Sequence, residues 1–360
     1  MKIIRPAVAM GLAVILLCLS GCAAQLPITM EANEFANYES IVLLEDSVLL
    51  HSNSSSGNSE DDPYLQLERL YFDGRIAHAG TVHSPPGSMK YALVGDTFYI
   101  ATSTYWEGNQ LHTLDLKTNI LTSEDLGEGA IVCVQALGNH LILGRSHSNG
   151  KQAVNTCLEV FDAKTSTVVK TFDVNSILSN FYNLIDVCTA GNYLYVLLKE
   201  YRSNIVKTAT ILKLDQNLEL VGSLDISAAT EMVSSDIRRF EVYGNFLYLA
   251  FNGSRTCIAG TLENAVLVRP ETFESIFPAA QYDQSAPIFW SYGDNRLYFI
   301  NDSTNALESK PFSLEDGYIP SSILKSDQRI AIFAGPSKTS AVKTGRKYFI
   351  TDLDFTGLSE

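Results

Sequence analysis

The stretch Gly191-Asn192-Tyr193-Leu194-Tyr195-Val196-Leu197-Leu198 constrains the fold most, because versions of it recur along the whole chain. A Gly-Asn turn launches an apolar run. Tyr193, Tyr195 and Leu197 fall on one face of an extended strand, and Leu194, Val196 and Leu198 on the other. Such a strand must be covered on both faces. Related segments start at Gly95-Asp96, Gly138-Asn139, Gly244-Asn245 and Gly293-Asp294, with weaker copies at Glu45-Asp46 and Ser326-Asp327. They recur at intervals of roughly 35–55 residues, which is the period of a ring or array built from one repeated strand unit.

One unit reads in full. Strands are expected over 184–189, 193–200, 208–215 and 218–224, joined at Gly191-Asn192, at 201–204 and at Gln216-Asn217. A second signature is an Asp that closes the third strand before a short polar turn, as at Asp115, Asp162 and Asp215. An Asp there can accept hydrogen bonds from the turn's own backbone, so its expected role is structural. These features resemble the bacterial YVTN-type and quinoprotein-like propeller families over most of 40–358, although no WD dipeptide, Gly-His pair or kelch Gly-Gly recurs. The resemblance implies an all-β, seven-bladed propeller of four-stranded blades, forming one domain over 27–360. The competing architecture, a pair of β-sandwiches, requires no such period.

The ends of the chain add a closure. The last unit supplies strands at 322–325, 329–333 and 347–353 and then has only 354–360 left, while 27–35 belongs to no unit. The early segment is therefore predicted to complete the last blade, whose edge would otherwise stay unpaired.

The first residues read as a targeting segment. Lys2 and Arg5 precede an apolar run over 7–17 that is too short for an ordinary membrane span. Leu19-Ser20-Gly21-Cys22 then resembles the lipobox of bacterial lipoproteins. That resemblance implies a signal peptide over 1–21, acylation of Cys22, and a mature protein outside the cytoplasmic membrane, anchored to it or to an outer membrane. A linker over 22–26 would hold the ring within ~15 Å of the lipid. Ala23 follows the cysteine where an Asp-type retention signal would stand.

The net charge is −14, and removing 1–21 takes away Lys2 and Arg5 and no acid. Such a surface repels nucleic acid and anionic headgroups, and no basic patch with interleaved aromatics offsets it. Cys133, Cys157, Cys188 and Cys257 form no CxxC pair, which excludes zinc-ribbon and thioredoxin-type chemistry. Cys133 and Cys188 stand in apolar runs where a small buried hydrophobe fits, so reduced core cysteines are expected.

In propellers the loops from second to third strand, and from one blade to the next, gather on one end of the ring, which usually binds. On that basis the candidate binding residues are Tyr105, Trp106, Arg145, His147, Tyr182, Tyr201, Arg202, Arg238 and Arg255. Trp290, in Ile288-Phe289-Trp290, reads as core. All six histidines lie in the first 147 residues, yet no HxH, HExxH or carboxylate-facial spacing joins them, so no metal site is expected. The acidic insertion over 52–62 lacks the spaced carboxylates of a calcium loop. No nucleophile elbow, P-loop or dinucleotide fingerprint is present, two tryptophans are too few for a quinone-dependent propeller enzyme, and no cofactor is expected. The expected function is a lipid-anchored propeller that binds a protein or envelope polymer without catalysis. The alternatives are a scaffold subunit of an envelope assembly machine, and a lyase or hydrolase acting on glycan or peptide.

Overall fold

The computed structural model describes residues 28–32, 38–52, 64–83, 89–104, 108–148, 153–176, 182–202, 205–226, 237–251, 256–263, 266–274, 276–278, 280–281, 288–291, 295–301, 304, 306–314, 318–326, 328–336 and 345–354. They form seven antiparallel sheets. Blade 1 holds Tyr38–Leu43, Ser47–Ser52, Tyr64–Tyr71 and Ile76–His83. Blade 2 holds Lys90–Val94, Thr97–Thr104, Gly108–Asp115 and Ile120–Asp125. Blade 3 holds Ala130–Leu137, His140–Ser148, Ala153–Asp162 and Thr167–Asp173. Blade 4 holds Tyr182–Ala190, Tyr193–Arg202, Ile205–Leu214 and Leu220–Asp225. Blade 5 holds Ile237–Tyr243, Phe246–Phe251, Thr256–Glu263 and Val266–Glu274. The first strands of blades 2 and 3, 3 and 4, and 4 and 5 touch one another, and Tyr38–Leu43 of blade 1 meets Tyr318–Lys325 of blade 7, so the sheets radiate from a common axis.

The recurrent turns act as the sequence implied. Gly95, Gly138, Gly191 and Gly244 all take φ between 54° and 59°, the left-handed first position of a tight hairpin turn that only glycine occupies without cost. At the other recurrent turn, Asp115 Oδ1 accepts from the N–H groups of Lys117 (2.7 Å) and Thr118 (3.0 Å). Asp215 Oδ1 accepts from Asn217 and Glu219, both at 2.8 Å, and Asp162 from Lys164 at 2.9 Å. These N–H donors favour the charged carboxylate and hold Asp115 and Asp162 below the usual carboxylate range.

Strands apolar on both faces explain the core. Each of the seven seams between adjacent blades carries its own hydrophobic cluster. The seam between blades 3 and 4 is aliphatic, built on Leu158, Val187, Val196 and Leu212. The seam between blades 5 and 6 rests on Phe246, Tyr248, Phe289 and Ile300. Trp290 is buried between blades 6 and 7. Cys133 and Cys188 are buried and Cys157 is half-buried, all three as thiols; burial pushes the Cys133 thiol well up.

Closure is two-ended. Blade 7 takes Tyr318–Lys325, Arg329–Pro336 and Lys347–Asp352 from the end of the chain, and Ile28–Glu31 from its beginning as the outer strand. The register pairs Ile28 with Ile350 and Glu31 with Lys347. Ala32 N–H donates to Arg346 O at 2.7 Å. Met30 and Ala32 pack with Leu43, Leu50, Phe333 and Tyr348, so the early strand also seals the seam with blade 1.

Blade 6 departs from the pattern. Its sheet runs Ile276–Pro278, Ile288–Ser291, Arg296–Asn301 and Ala306–Pro311. The bond from Phe312 N–H to Asn295 O matches that from Leu116 N–H to Asp96 O in blade 2. Ala306–Pro311 is therefore a third strand by phase, and the sheet reaches four by adding a short strand on its inner side. Beyond it Phe312 and Leu314 turn inward into the seam with blade 7 instead of forming an outer strand. Ala280–Gln281 pairs in parallel with Leu324 and Lys325, on the axial side of blade 7.

Candidate functional site

The ring has two unlike ends. One carries the turns between first and second and between third and fourth strands; we call it the turn end. The opposite, loop end carries the longer connections. A concavity of about 1040 Å³ opens at the turn end, where blades 7, 1 and 2 meet. A second hollow of about 540 Å³ adjoins it toward the axis and shares Leu44, Glu45, Leu93, Gly95, Asp96 and Arg329.

Arg69, on the third strand of blade 1, forms the floor. Its guanidinium donates to Ser47 Oγ (2.7 Å), Asp46 Oδ1 (2.9 Å), Leu116 O (2.6 Å) and Asn119 Oδ1 (3.2 Å), which ties blade 1 to the turn of blade 2. Arg69 and Arg75 both lie against the Tyr71 ring, at 5.0 and 4.6 Å from its centroid. Arg329, from blade 7, reaches Glu45 O and lies 5.4 Å from the Phe72 ring. The rim is exposed and salt-bridged, with Arg75 to Asp73 at 2.7 Å and Lys117 to Asp96 at 2.5 Å. Arg75 holds the Asp73 carboxyl below the usual range, and Asp96 raises Lys117. A general acid needs a carboxyl shifted the other way, so Asp73 is poorly placed for that work.

The residues singled out by sequence fall elsewhere. Arg145 is buried: its guanidinium pairs with Glu159 (2.5 Å) and donates to Leu126 O (2.7 Å) and Glu128 O (3.0 Å), so it fastens blade 3 to the segment arriving from blade 2. His147, Tyr201 and Arg202 close second strands at the loop end, and Tyr182 and Arg238 open first strands there. Cys22, Tyr105, Trp106 and Arg255 lie outside the described residues. The loop end thus gathers those strand positions as expected, but the groove lies opposite. In the sequence Glu45, Asp46, Gly95 and Asp96 read as turn-formers, and Arg69, Tyr71, Phe72 and Arg75 drew no reading. A signal was available: Tyr71-Phe72-Asp73-Gly74-Arg75 is far richer in aromatic and guanidinium groups than the Asp-x-Lys-Thr turns of blades 2 and 3.

Other clusters resolve as structural. His112 is buried, with Nδ1 2.7 Å from Ser123 Oγ and Nε2 3.3 Å from Thr102 Oγ1. Among the described residues no three His, Cys, Asp or Glu side chains converge as a metal site would require, and no helix is long and apolar enough to cross a membrane.

No family model and no curated protein matches the chain. Solved propellers do. The β-propeller domain of Cps50 (Swd1) from Myceliophteria thermophila superimposes with a TM-score of 0.50 at 10% identity, covering 89% of this chain and 98% of that one. The Dos1 propeller gives a TM-score of 0.50 at 11% identity, covering 85% of this chain and 75% of its own. The class of protein is therefore a seven-bladed β-propeller. At such identities the likeness establishes the fold alone.

Proposed function

We propose that this protein is a lipid-anchored, extracytoplasmic propeller that captures a protein partner in the turn-end groove and catalyses nothing. The observation that carries the binding reading is the groove itself: about 1040 Å³, bordered by Glu45, Asp46, Asp73 and Asp96 and by Arg69, Arg75, Lys117 and Arg329. Balanced, paired charge around a partly apolar floor suits a polypeptide segment carrying both signs. A glycan is the poorer fit, because sugar rings want an uncovered aromatic face and the Tyr71 ring already holds two guanidinium groups. The lipobox-like Leu19-Ser20-Gly21-Cys22 carries the anchoring.

The test is in-cell cross-linking of the full-length protein, comparing Arg75→Glu with Lys117→Glu against Tyr201→Ala with Arg202→Ala. A partner retained by the loop-end variant and lost by the groove variant is the expected result. Loss only in the loop-end variant would move binding to the opposite end. Turnover of a peptide or glycan that falls with the groove variant would replace the binding reading with an enzymatic one.

A further inference from the structure

The outer strands are graded along the ring axis. Among the described residues every exposed large hydrophobic lies at the turn end: Ile76 on blade 1, Ile120 on blade 2, Val168 and Val169 on blade 3, Leu220 and Val221 on blade 4, and Leu353 on blade 7. These blades are consecutive in the ring, 7-1-2-3-4. The outer strands of blades 2, 3 and 4 finish at the loop end in exposed acids, Asp125, Asp173 and Asp225. Strand propensity would favour aliphatics anywhere along an outer strand. It does not explain their collection at one end and the acids at the other.

The chain also enters at that end. Ile28 pairs with Ile350, close to the Leu353 turn, whereas Glu31 points toward the loop end. From Cys22 to Ile28 is six residue steps, at most ~20 Å of chain. A lipid on Cys22 would thus hold the turn end near the membrane.

We infer that the turn end of blades 7 and 1 to 4 docks on the bilayer surface, with the exposed aliphatic side chains entering the headgroup boundary and the groove turned toward a partner held in the same membrane. The orientation rests on the lipid-anchor reading; the docking surface rests on the graded strands. The aliphatics stand on separate blades and form points around a rim, not one contiguous patch. A fluid bilayer accepts such points wherever they fall, while a protein partner needs a continuous complementary surface.

The experiment uses full-length protein in phosphatidylcholine vesicles containing a lipid with a photoactivatable acyl chain, with labelled peptides and the state of Cys22 both read by mass spectrometry. Labels are expected on peptides holding Ile120, Val168, Val169 and Val221, and not on those holding Asp125, Asp173 or Asp225. The exposed-site variant Ile76→Ser, Ile120→Ser, Val169→Thr, Val221→Thr should keep its acyl group and lose labelling about tenfold. Even labelling of both ends, or labelling of the acidic end, with Cys22 acylated would overturn docking and leave the anchor standing. If Cys22 carries no lipid the anchor reading fails. Vesicle co-sedimentation of that same protein then decides docking: binding lost in the variant sustains it, and no binding by the unaltered chain overturns it.

Discussion

Blades 4 and 6 start from the same ingredients, a polar turn and a strand apolar on both faces, and finish differently. Blade 4 has four strands in chain order, and its third strand is paired on both sides, Thr210 with Leu198 and with Asp225. Blade 6 gains a strand on the inner side and ends at Ala306–Pro311. The seams differ likewise. Among the described residues blade 4 meets blade 3 through small aliphatic side chains, and blade 6 meets blade 5 through large rings, with Tyr248 and Phe289 centroids 5.1 Å apart. A repeat ring therefore tolerates an incomplete member provided both of its seams remain filled. Stability resides in the seams more than in the outer strands.

Cutting into each seam should show this most strongly. Phe289→Ala is expected to cost about 4 kcal/mol and Leu212→Ala about 3 kcal/mol, measured by denaturant unfolding. The aromatic deletion should also make unfolding non-coincident between probes, because Phe289 stacks against both Phe246 and Tyr248 across that seam. Equal, fully coincident transitions in both variants would refute the contrast.

Blade 4 should also respond to alkali. Burial, helped by Cys188 and Tyr193, raises the Tyr195 phenol from 10.0 to about 12. The folded state then keeps its proton where the unfolded state has lost it. The stabilisation is complete below pH 10 and disappears as pH rises toward 12. Tyr195→Phe should flatten the fall in melting temperature over that window.

A smaller difference concerns left-handed residues. Leu218 in blade 4 has φ 57° and is buried, while Asn295 in blade 6 has φ 54°. Leu218→Gly relieves about 1 kcal/mol of backbone strain and gives up about 2–3 kcal/mol of burial, so burial wins and the protein loses stability. Asn295→Gly should change stability by about 0.5 kcal/mol or less, since asparagine tolerates that conformation.

The mildest test reads single amides. The Phe312–Asn295 bond sets the alternation, so Leu307 and Ser309 direct their N–H groups away from the second strand of blade 6. Pro311 falls on that same side, where its missing donor costs nothing. Amide exchange at Leu307 and Ser309 should therefore run faster than at third-strand residues Thr210 to Leu212 in blade 4.

Much of the ring was legible in the chain because two local rules repeat. Gly191-Asn192 and its cousins set the hairpins, and Asp115, Asp162 and Asp215 cap their turns, each within a few residues. Closure by 28–31 was legible for a different reason: the unit at 322–353 ran out of strand while 27–35 had none to join. The irregular part of blade 6 was not legible: Ile276–Pro278 pairs across a long connection and Ala280–Gln281 pairs with another blade, and neither leaves a local mark. The groove was illegible for a related reason. Arg69 reaches Leu116 and Asn119 of the next blade, a convergence that exists only once the ring has formed.

The strand at Ile28–Glu31 has a consequence in time. It leaves the ribosome before any blade exists, and its partner Lys347–Asp352 follows only after the other six blades. Blades 1 to 6 can condense one after another as they emerge, but the ring stays open until Lys347–Asp352 has emerged as well. The two ends thus act as a latch, and until they meet the blades form an open string rather than a closed ring.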